Sequence, residues 1–489
     1  MRIRRTSYDN GKGQVKQMKR TISLLLCFLL LWGLSAGVSA YEADDAWQRY
    51  YAQYTEDGSA VYMAPGADET ERNFSWYAPA DAGDCRVTIS ERDDLSGARS
   101  FTGTSVPTPE GDVRCKVTVT DLLPGRTYYY QYAAGAKESE TYTFSTLSGS
   151  DFTALYTTDI HVSFDEEDAD CLMNQSYTFS RVLEDAADRG EVDLVISAGD
   201  QASRGYRSEY TALVASPVLR STPFALCPGN HDRKGIAYKY FTDQPNEYKK
   251  ALVHSLIAYD YYYVKGDVLF FVFDSNVGSM TAHRNFVKQA IRENPDVKWR
   301  VATFHHDLYG GRIPHREQEN ALLRMIWSPI FDEFRFDLVL LGHSHYYTIS
   351  NAMFGNKTSQ SLVGLDSVTD PAGTVVMVSG SINRPRTVEE GEEPPVGENV
   401  AFSYLSENPV YNLLDFSEDS IAIRSYEPGE EEPFHIFTIT KTSAQGGHPA
   451  DGRDFYDPFV RFLSDVYGLV NEVWTTARFK LHWNDYVGK

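Results

Sequence analysis

The chain has 489 residues, room for about three domains of ordinary size. Hydrophobic residues make up 42% and charged residues 23%, a globular balance that excludes a disordered, collagen-like or low-complexity protein. With 46 basic against 68 acidic residues the formal net charge is −22, and so acidic a surface repels phosphate backbones, which argues against general nucleic-acid binding.

The chain opens on a targeting pattern. Lys19 and Arg20 precede the apolar run from Ile22 to Trp32, and the small residues Val38-Ser39-Ala40 follow. A basic start, an apolar middle and an A-x-A-like end predict a signal peptide over residues 1–40, with Met18 as an alternative start. That reading implies a secreted, extracellular or cell-surface protein. An uncleaved anchor is the competing reading, although the run is short against the ~20 residues of a membrane span. No Cys follows the small residues, so a lipoprotein signal is not supported. No later segment is long and apolar enough to span a membrane, which leaves no membrane span once the signal is removed.

Residues 41–148 read as a short helix followed by a small β-sandwich. Asn73–Tyr77, Cys85–Ile89, Arg114–Val119 and Tyr128–Tyr132 alternate in the manner of half-buried strands, with a turn at Leu123-Pro-Gly125. Cys85 and Cys115 both fall here. They either pair across strands or serve as small buried hydrophobes, and four cysteines beyond the signal are too few for a disulfide scaffold.

From 149 to 442 the rhythm changes. Short apolar strands at Phe152–Tyr156, Leu194–Ala198, Phe224–Cys227, Leu269–Phe273, Val301–Phe304, Leu338–Leu341 and Val375–Val378 alternate with helices. The helices are expected at Gln175–Arg189, Arg207–Ala215, Arg284–Asn294 and Glu317–Phe334. Continuous apolar strands between helices predict a buried α/β sheet covered on both faces. Residues 385–400 read as an exposed acidic loop. In the tail, 443–489, Asp457-Pro458 predicts a helix start, and Phe459, Phe462, Leu463, Val466, Leu469, Val470, Val473 and Ala477 recur at helical spacing. That stripe predicts a helix packed on its own protein, with a membrane surface as the alternative.

Five polar clusters each follow an apolar strand: Asp159-Ile-His161, Gly199-Asp200, Gly229-Asn-His-Asp232, His305-His306 and Gly342-His-Ser-His345. Any one alone is weak, because a buried His is usually a hydrogen-bonded core residue. The carboxyl ends of strands in an open α/β sheet share one crevice, so all five can converge. Imidazoles with carboxylates and an Asn carbonyl suit Fe, Mn, Zn or Co. Their number exceeds what one four-coordinate ion needs and fits two ions bridged by a carboxylate.

The set D-x-H, G-D, G-N-H-D, H and G-H-x-H resembles the calcineurin-like metallophosphoesterase superfamily. The preceding sandwich resembles the fibronectin-type-III-like N-terminal domain of the purple acid phosphatases, through Phe74-Ser-Trp-Tyr77, Leu122–Tyr130 and Tyr142–Thr146. The resemblance implies a four-layer sandwich of mixed sheets flanked by helices behind a small all-β domain. It implies that Asp159, His161 and His345 hold one metal, that Asn230, His305 and His343 hold the other, and that Asp200 bridges both. His231 is implied as general acid or charge stabiliser, with Asp232 orienting it and His306 as a substrate contact or a supporting residue. One departure stands out: purple acid phosphatases carry a metal-binding Tyr three residues after the Gly-Asp, where this chain has Ser203, so no tyrosinate colour is expected. Their Tyr-Glu-Arg near G-H-x-H is here Tyr346-Tyr-Thr348.

The expected function is therefore a secreted phosphoesterase acting on a phosphorylated small molecule, with a metal-bridging hydroxide as nucleophile. A phosphomonoesterase is the leading reading and a phosphodiesterase or nucleotidase the alternative. A cell-surface binding module with an inactive phosphoesterase domain is a further reading, set against the completeness of the ligand set.

Overall fold

The computed structural model describes residues 41–309, 317–388, 393–394, 397–449 and 457–483. The expected signal segment and part of the acidic 385–400 loop lie outside the described residues.

A helix, Asp45–Asp57, precedes the sandwich and ends on Gly58 in the left-handed region (φ 67°). One sandwich sheet runs, in spatial order, Tyr62–Pro65, Arg72–Ala78, Val113–Val119 and Thr104–Pro107, all antiparallel. The other is built around Cys85–Ser90 and Thr127–Ala134. Phe74, Trp76, Val87, Ile89, Tyr130 and Phe144 fill the space between them. The period of two decides the rest. Phe74 and Trp76 face the sandwich core, while Ser75 points the other way and its hydroxyl donates to Phe241 O at 2.7 Å, in the following domain. Arg114 likewise leaves the sandwich. It is fully buried, donates to Ala60 O and Ser75 O at 3.2 and 3.1 Å, and lies over the rings of Tyr77 and Phe241. Cys85 and Cys115 form a disulfide that joins the two sheets, which decides between the two readings of these residues.

Two seven-stranded mixed sheets follow. The first runs Phe224–Leu226, Leu194–Ser197, Phe152–Thr157, Tyr411–Phe416, Ser420–Tyr426, His435–Thr440 and Ser367–Thr369, with its first three strands parallel. The second runs Tyr261–Lys265, Val268–Val272, Trp299–Thr303, Leu338–Leu341, Val375–Val378, Tyr347–Ser350 and Val400–Tyr404, with four central strands parallel. The sheets pack face to face. Ala154 and Tyr156 join Phe270, Val301, Leu340 and Leu414 in the central core. Leu155, on the opposite face of the same strand, packs with Phe179, Val182 and Leu183 of the helix Cys171–Asp188. Phe286 and Ala290 of the helix Met280–Glu293, and Trp327 and Phe331 of the helix Glu317–Phe334, cover the second sheet. These are the four expected layers, and burial on both faces is why the strands read as unbroken apolar runs. The helix expected from Arg284 begins earlier, at Met280, because the Ser279 hydroxyl caps it by accepting from Ala282 N.

The tail helix Pro458–Leu481 starts where expected, with Asp457 accepting from Phe459 N and Val460 N. It packs on its own protein as expected, but through its polar side. The buried side is Ser464, Gly468, Glu472 and Phe479, while the apolar stripe faces outward. Polar anchors set its orientation: Asp465 accepts from Ser279 Oγ at 2.8 Å and from Thr281 Oγ1 at 2.6 Å.

Candidate metal centre

The five clusters leave the C-terminal ends of five strands in the two sheets and converge in one crevice. Tight turns make this possible. Asp159, His161, Asp200, His343 and His345 all take positive φ, between 49° and 73°, so each turns its side chain back toward the centre at a conformational cost. Two glycines leave room for the approach. A Cβ at Gly229 would overlap the Asp200 carboxylate, and one at Gly342 would overlap Thr158 Oγ1 and crowd Asp159.

On one side His161 Nε2 lies 3.2 Å from His345 Nε2, and His345 Nε2 lies 3.1 Å from Asp159 Oδ1. On the other, His305 Nε2 lies 3.0 Å from Asn230 Oδ1, 3.2 Å from His343 Nδ1 and 3.2 Å from Asp200 Oδ2. Asp200 Oδ2 also lies 3.6 Å from His161 Nε2, so it stands between the two groups. The outer nitrogens fix which way the lone pairs point. His345 Nδ1 donates to Arg384 O at 2.8 Å and His305 Nδ1 to Ala198 O at 3.0 Å, which turns both Nε2 lone pairs inward. Ser203, at the position read for its lack of a phenol, lies with Oγ 3.5 Å from His161 Nδ1.

Facing lone pairs at such distances repel unless something positive lies among them. Asp159 Oδ1 is buried without a hydrogen-bond partner. Burial alone would raise Asp159 and Asp200, yet His345 and His161 hold the first, and His305 and His231 the second, well below the usual carboxylate range. Burial opposes charge on His305 too, but Asp200 and Asp159 outweigh it and lift that imidazole to about 9. Burial pushes His161 well below its usual value, into the neutral form that a ligand needs. An N/O donor set of this kind, with an orphaned carboxylate oxygen, fits cations and not a hydrogen-bonded core.

All seven expected ligand residues are brought together. His231 is beside them: its backbone N donates to Asp200 Oδ1 at 2.7 Å, and its ring lies between Ser203 O and Lys234 Nζ, 2.8 and 2.6 Å from Nδ1. The expectation that Asp232 orients this ring is corrected. The Asp232 carboxylate instead accepts from Gly229 N, Ala202 N and Tyr210 OH, and ties the Asn230 loop to the Asp200 loop. Burial and then Asp200 raise it to about 7. His306 lies behind His343, with ring centres 4.8 Å apart and Nδ1 2.8 Å from Ser275 Oγ.

Four further residues border the crevice. Lys234 follows the Gly229–Asp232 cluster, and Glu319 lies 3.9 Å from His343 Nε2. Ser381 donates to Asp159 O at 2.6 Å and Asn383 to Ile160 O at 2.8 Å, pinning the D-x-H turn. Ser381 and Asn383 carry the signal that marks the five clusters, polar residues after the buried strand Val375–Val378. Glu319 has no such signal, since it lies in a helix.

Fold and donor set together define a two-cation phosphoesterase centre. Residues 152–347 match the calcineurin-like phosphoesterase family and residues 59–146 the purple acid phosphatase N-terminal domain. The chain thus carries a calcineurin-like phosphoesterase domain, a phosphoester hydrolase domain, behind a purple acid phosphatase N-terminal domain. Among solved structures it is similar to a purple acid phosphatase from yellow lupin (Lupinus luteus) seeds, with TM-score 0.63 and 14% identity over 78% of this chain and 74% of that one. It is also similar to PhoD, with TM-score 0.47 and 11% identity over 84% and 98% of the two chains. No curated protein matches it.

Proposed function

We propose that this chain is an exported dimetal phosphomonoesterase of small phosphorylated substrates. The observation that carries the proposal is the meeting of Asp159, His161 and His345 on one side and Asn230, His305 and His343 on the other, with Asp200 Oδ2 between them, 3.6 Å from His161 Nε2 and 3.2 Å from His305 Nε2. In this reading Asp159, His161 and His345 hold one ion, Asn230, His305 and His343 the other, and Asp200 both. Two bound cations supply an acidified water and neutralise the phosphoryl oxygens. The chain's own residues do the rest. Ala198 O and Arg384 O keep the ligand imidazoles in the inward-facing tautomer. The His231 backbone N–H orients Asp200. His231 and Lys234 form the polar pair next to the leaving oxygen. Burial, Asp200 and Lys234 together leave the His231 imidazole at about 4, while burial lowers Lys234 to about 8, so the ammonium carries the positive charge of the pair.

The proposal includes a division into a signal at 1–40, the sandwich at 41–148, the catalytic domain at 149–442 and the tail at 443–489. A diesterase or nucleotidase remains the alternative substrate class on the same donor set. The test is metal content and turnover on the full chain, with 4-nitrophenyl phosphate and bis(4-nitrophenyl) phosphate as substrates. Two ions of Fe, Mn, Zn or Co per chain, loss of activity on chelation, and faster monoester turnover are expected. Faster diester turnover moves the reading to the alternative. No more than one ion, with no activity on adding any of the four metals, overturns it.

A further inference from the structure

The tail helix is inverted with respect to an ordinary surface helix. Its polar side is bonded to the protein. Glu472 pairs with Arg233, two residues beyond His231, and accepts from Leu256 N. Thr475 Oγ1 accepts from Arg233 at 2.8 Å, and Asn471 Nδ2 donates to Asn276 O at 3.1 Å. Gly468 lies against the Ser279 backbone.

The opposite side is apolar and exposed. Phe462, Val466, Leu469, Val470, Val473 and Trp474 span about 140° of the helix, with Val473 63% and Trp474 59% exposed. Charge on the helix is sorted in the same way. Both its acids, Asp465 and Glu472, are bonded to the protein, whereas its exposed charged side chains are cations, Lys480 on the apolar side, Arg478 near its edge and Arg461 on the opposite side by the helix start. In a chain of net charge −22 this is a local reversal of sign.

We propose that this outward face docks on an anionic lipid surface, lying in the headgroup layer with the valines and Trp474 at the acyl boundary. The helix is about 36 Å long, and no helix among the described residues is long and apolar enough to cross a membrane, so it lies along the surface. A second copy would also cover apolar area. Pairing two such helices brings exposed cations together without an exposed acid on either helix body, so the charge pattern favours anionic lipid.

The test uses the full chain and vesicles of phosphatidylglycerol with phosphatidylcholine, or of phosphatidylcholine alone, with brominated acyl chains as a depth probe. Comparison with Trp474→Phe isolates the Trp474 emission from the other tryptophans. Quenching of Trp474 is expected. Combined Val466→Glu, Val470→Glu and Val473→Glu should abolish it and lower the partition coefficient about 100-fold, with an unchanged thermal midpoint. Arg478→Gln with Lys480→Gln should weaken binding to the anionic vesicles about 30-fold and leave phosphatidylcholine vesicles unaffected. An unquenched Trp474 in the parent chain overturns the proposal whatever the variants do. So does a dimer in sedimentation that the three glutamates convert to monomer while Trp474 stays shielded from lipid.

Discussion

The sandwich and the metal crevice are built from the same material, buried strands rich in aromatic and β-branched residues, and they differ in what their buried polar groups do. In the sandwich, charge is neutralised by geometry. Arg114 is buried among carbonyls and two aromatic faces, and Arg72 pairs with Glu69 at 3.1 Å. Cys85 and Cys115 close the two sheets covalently. In the crevice, five residues turn through positive φ, and imidazole nitrogens and carboxylate oxygens stand 3.1 to 3.6 Å from one another. The first arrangement stabilises the chain by itself. The second sets inward-facing donor atoms against one another, an arrangement that bound cations would relieve. Substitutions in the crevice should therefore show up first in activity and metal content, and those in the sandwich first in stability.

Asp200→Ala should give the largest effect. It removes the one carboxylate that lies 3.2 Å from His305 Nε2 and 3.6 Å from His161 Nε2. Both ions should be lost and activity abolished, and the thermal midpoint should no longer rise on adding metal. Elemental analysis and calorimetry check both halves. Retention of two ions in this variant would break the comparison.

His231→Ala should come next, with both ions kept and kcat lowered by about 10²–10⁴-fold, the usual worth of a positioned acid–base group, because it removes the imidazole that holds the Lys234 ammonium, the charged member of the pair. The defect should shrink for esters with good leaving groups, which need little protonation. If it is equal across leaving groups, the His231 imidazole acts by holding its neighbours in place, and the polar pair with Lys234 has no part in protonating the leaving oxygen.

The two regions were also unequally legible in the sequence. The strands of both were readable because burial imposes either alternation or continuous apolar runs. The ligand residues were readable because each follows such a run, at the end where parallel strands open. What failed was direction. Asp232 adjoins His231 in sequence, but the tight turn that starts there sends the carboxylate toward Gly229 N and Tyr210 OH. The tail stripe was read as a buried face because apolar periodicity normally marks one, and the sequence does not show that Glu472 and Asp465 find partners on the protein. Glu319 reaches the site through tertiary packing alone.

Removing the disulfide tests the sandwich side of the comparison. The bridge closes 30 residues of chain, and the chain-entropy relation gives about 3.5 kcal/mol for a loop of that length. Cys85→Ala with Cys115→Ala should lower stability by that order in denaturant titration and leave metal content at two ions per folded chain. A loss of ions from chains that remain folded would show that the sandwich shapes the crevice, contrary to the division argued here.

The pH response of Glu69 tests the join between the two parts. Its carboxylate lies 3.1 Å from Arg72 Nη2 and 2.8 Å from Lys265 Nζ, a lysine in the catalytic domain, and it accepts from Leu147 N at 2.8 Å. Burial would raise it, but Arg72 and Lys265 outweigh burial and hold it at about 2, against an ordinary 4.5. A depressed carboxyl contributes stability that is fully present above the unfolded value and is lost as pH falls through the folded one, here between about 4.5 and about 2. The contribution is on the order of 3 kcal/mol at most, less what solvent screening removes from a carboxylate that is still partly exposed. Glu69→Gln should therefore be less stable than the parent at pH 7, and the gap should close as the pH falls below about 4. Calorimetry at pH 7, 5 and 3 reads this directly. A gap that stays constant over that range would mean that Glu69 contributes through packing and the Leu147 hydrogen bond, which Gln retains in part, and not through its charge across the join.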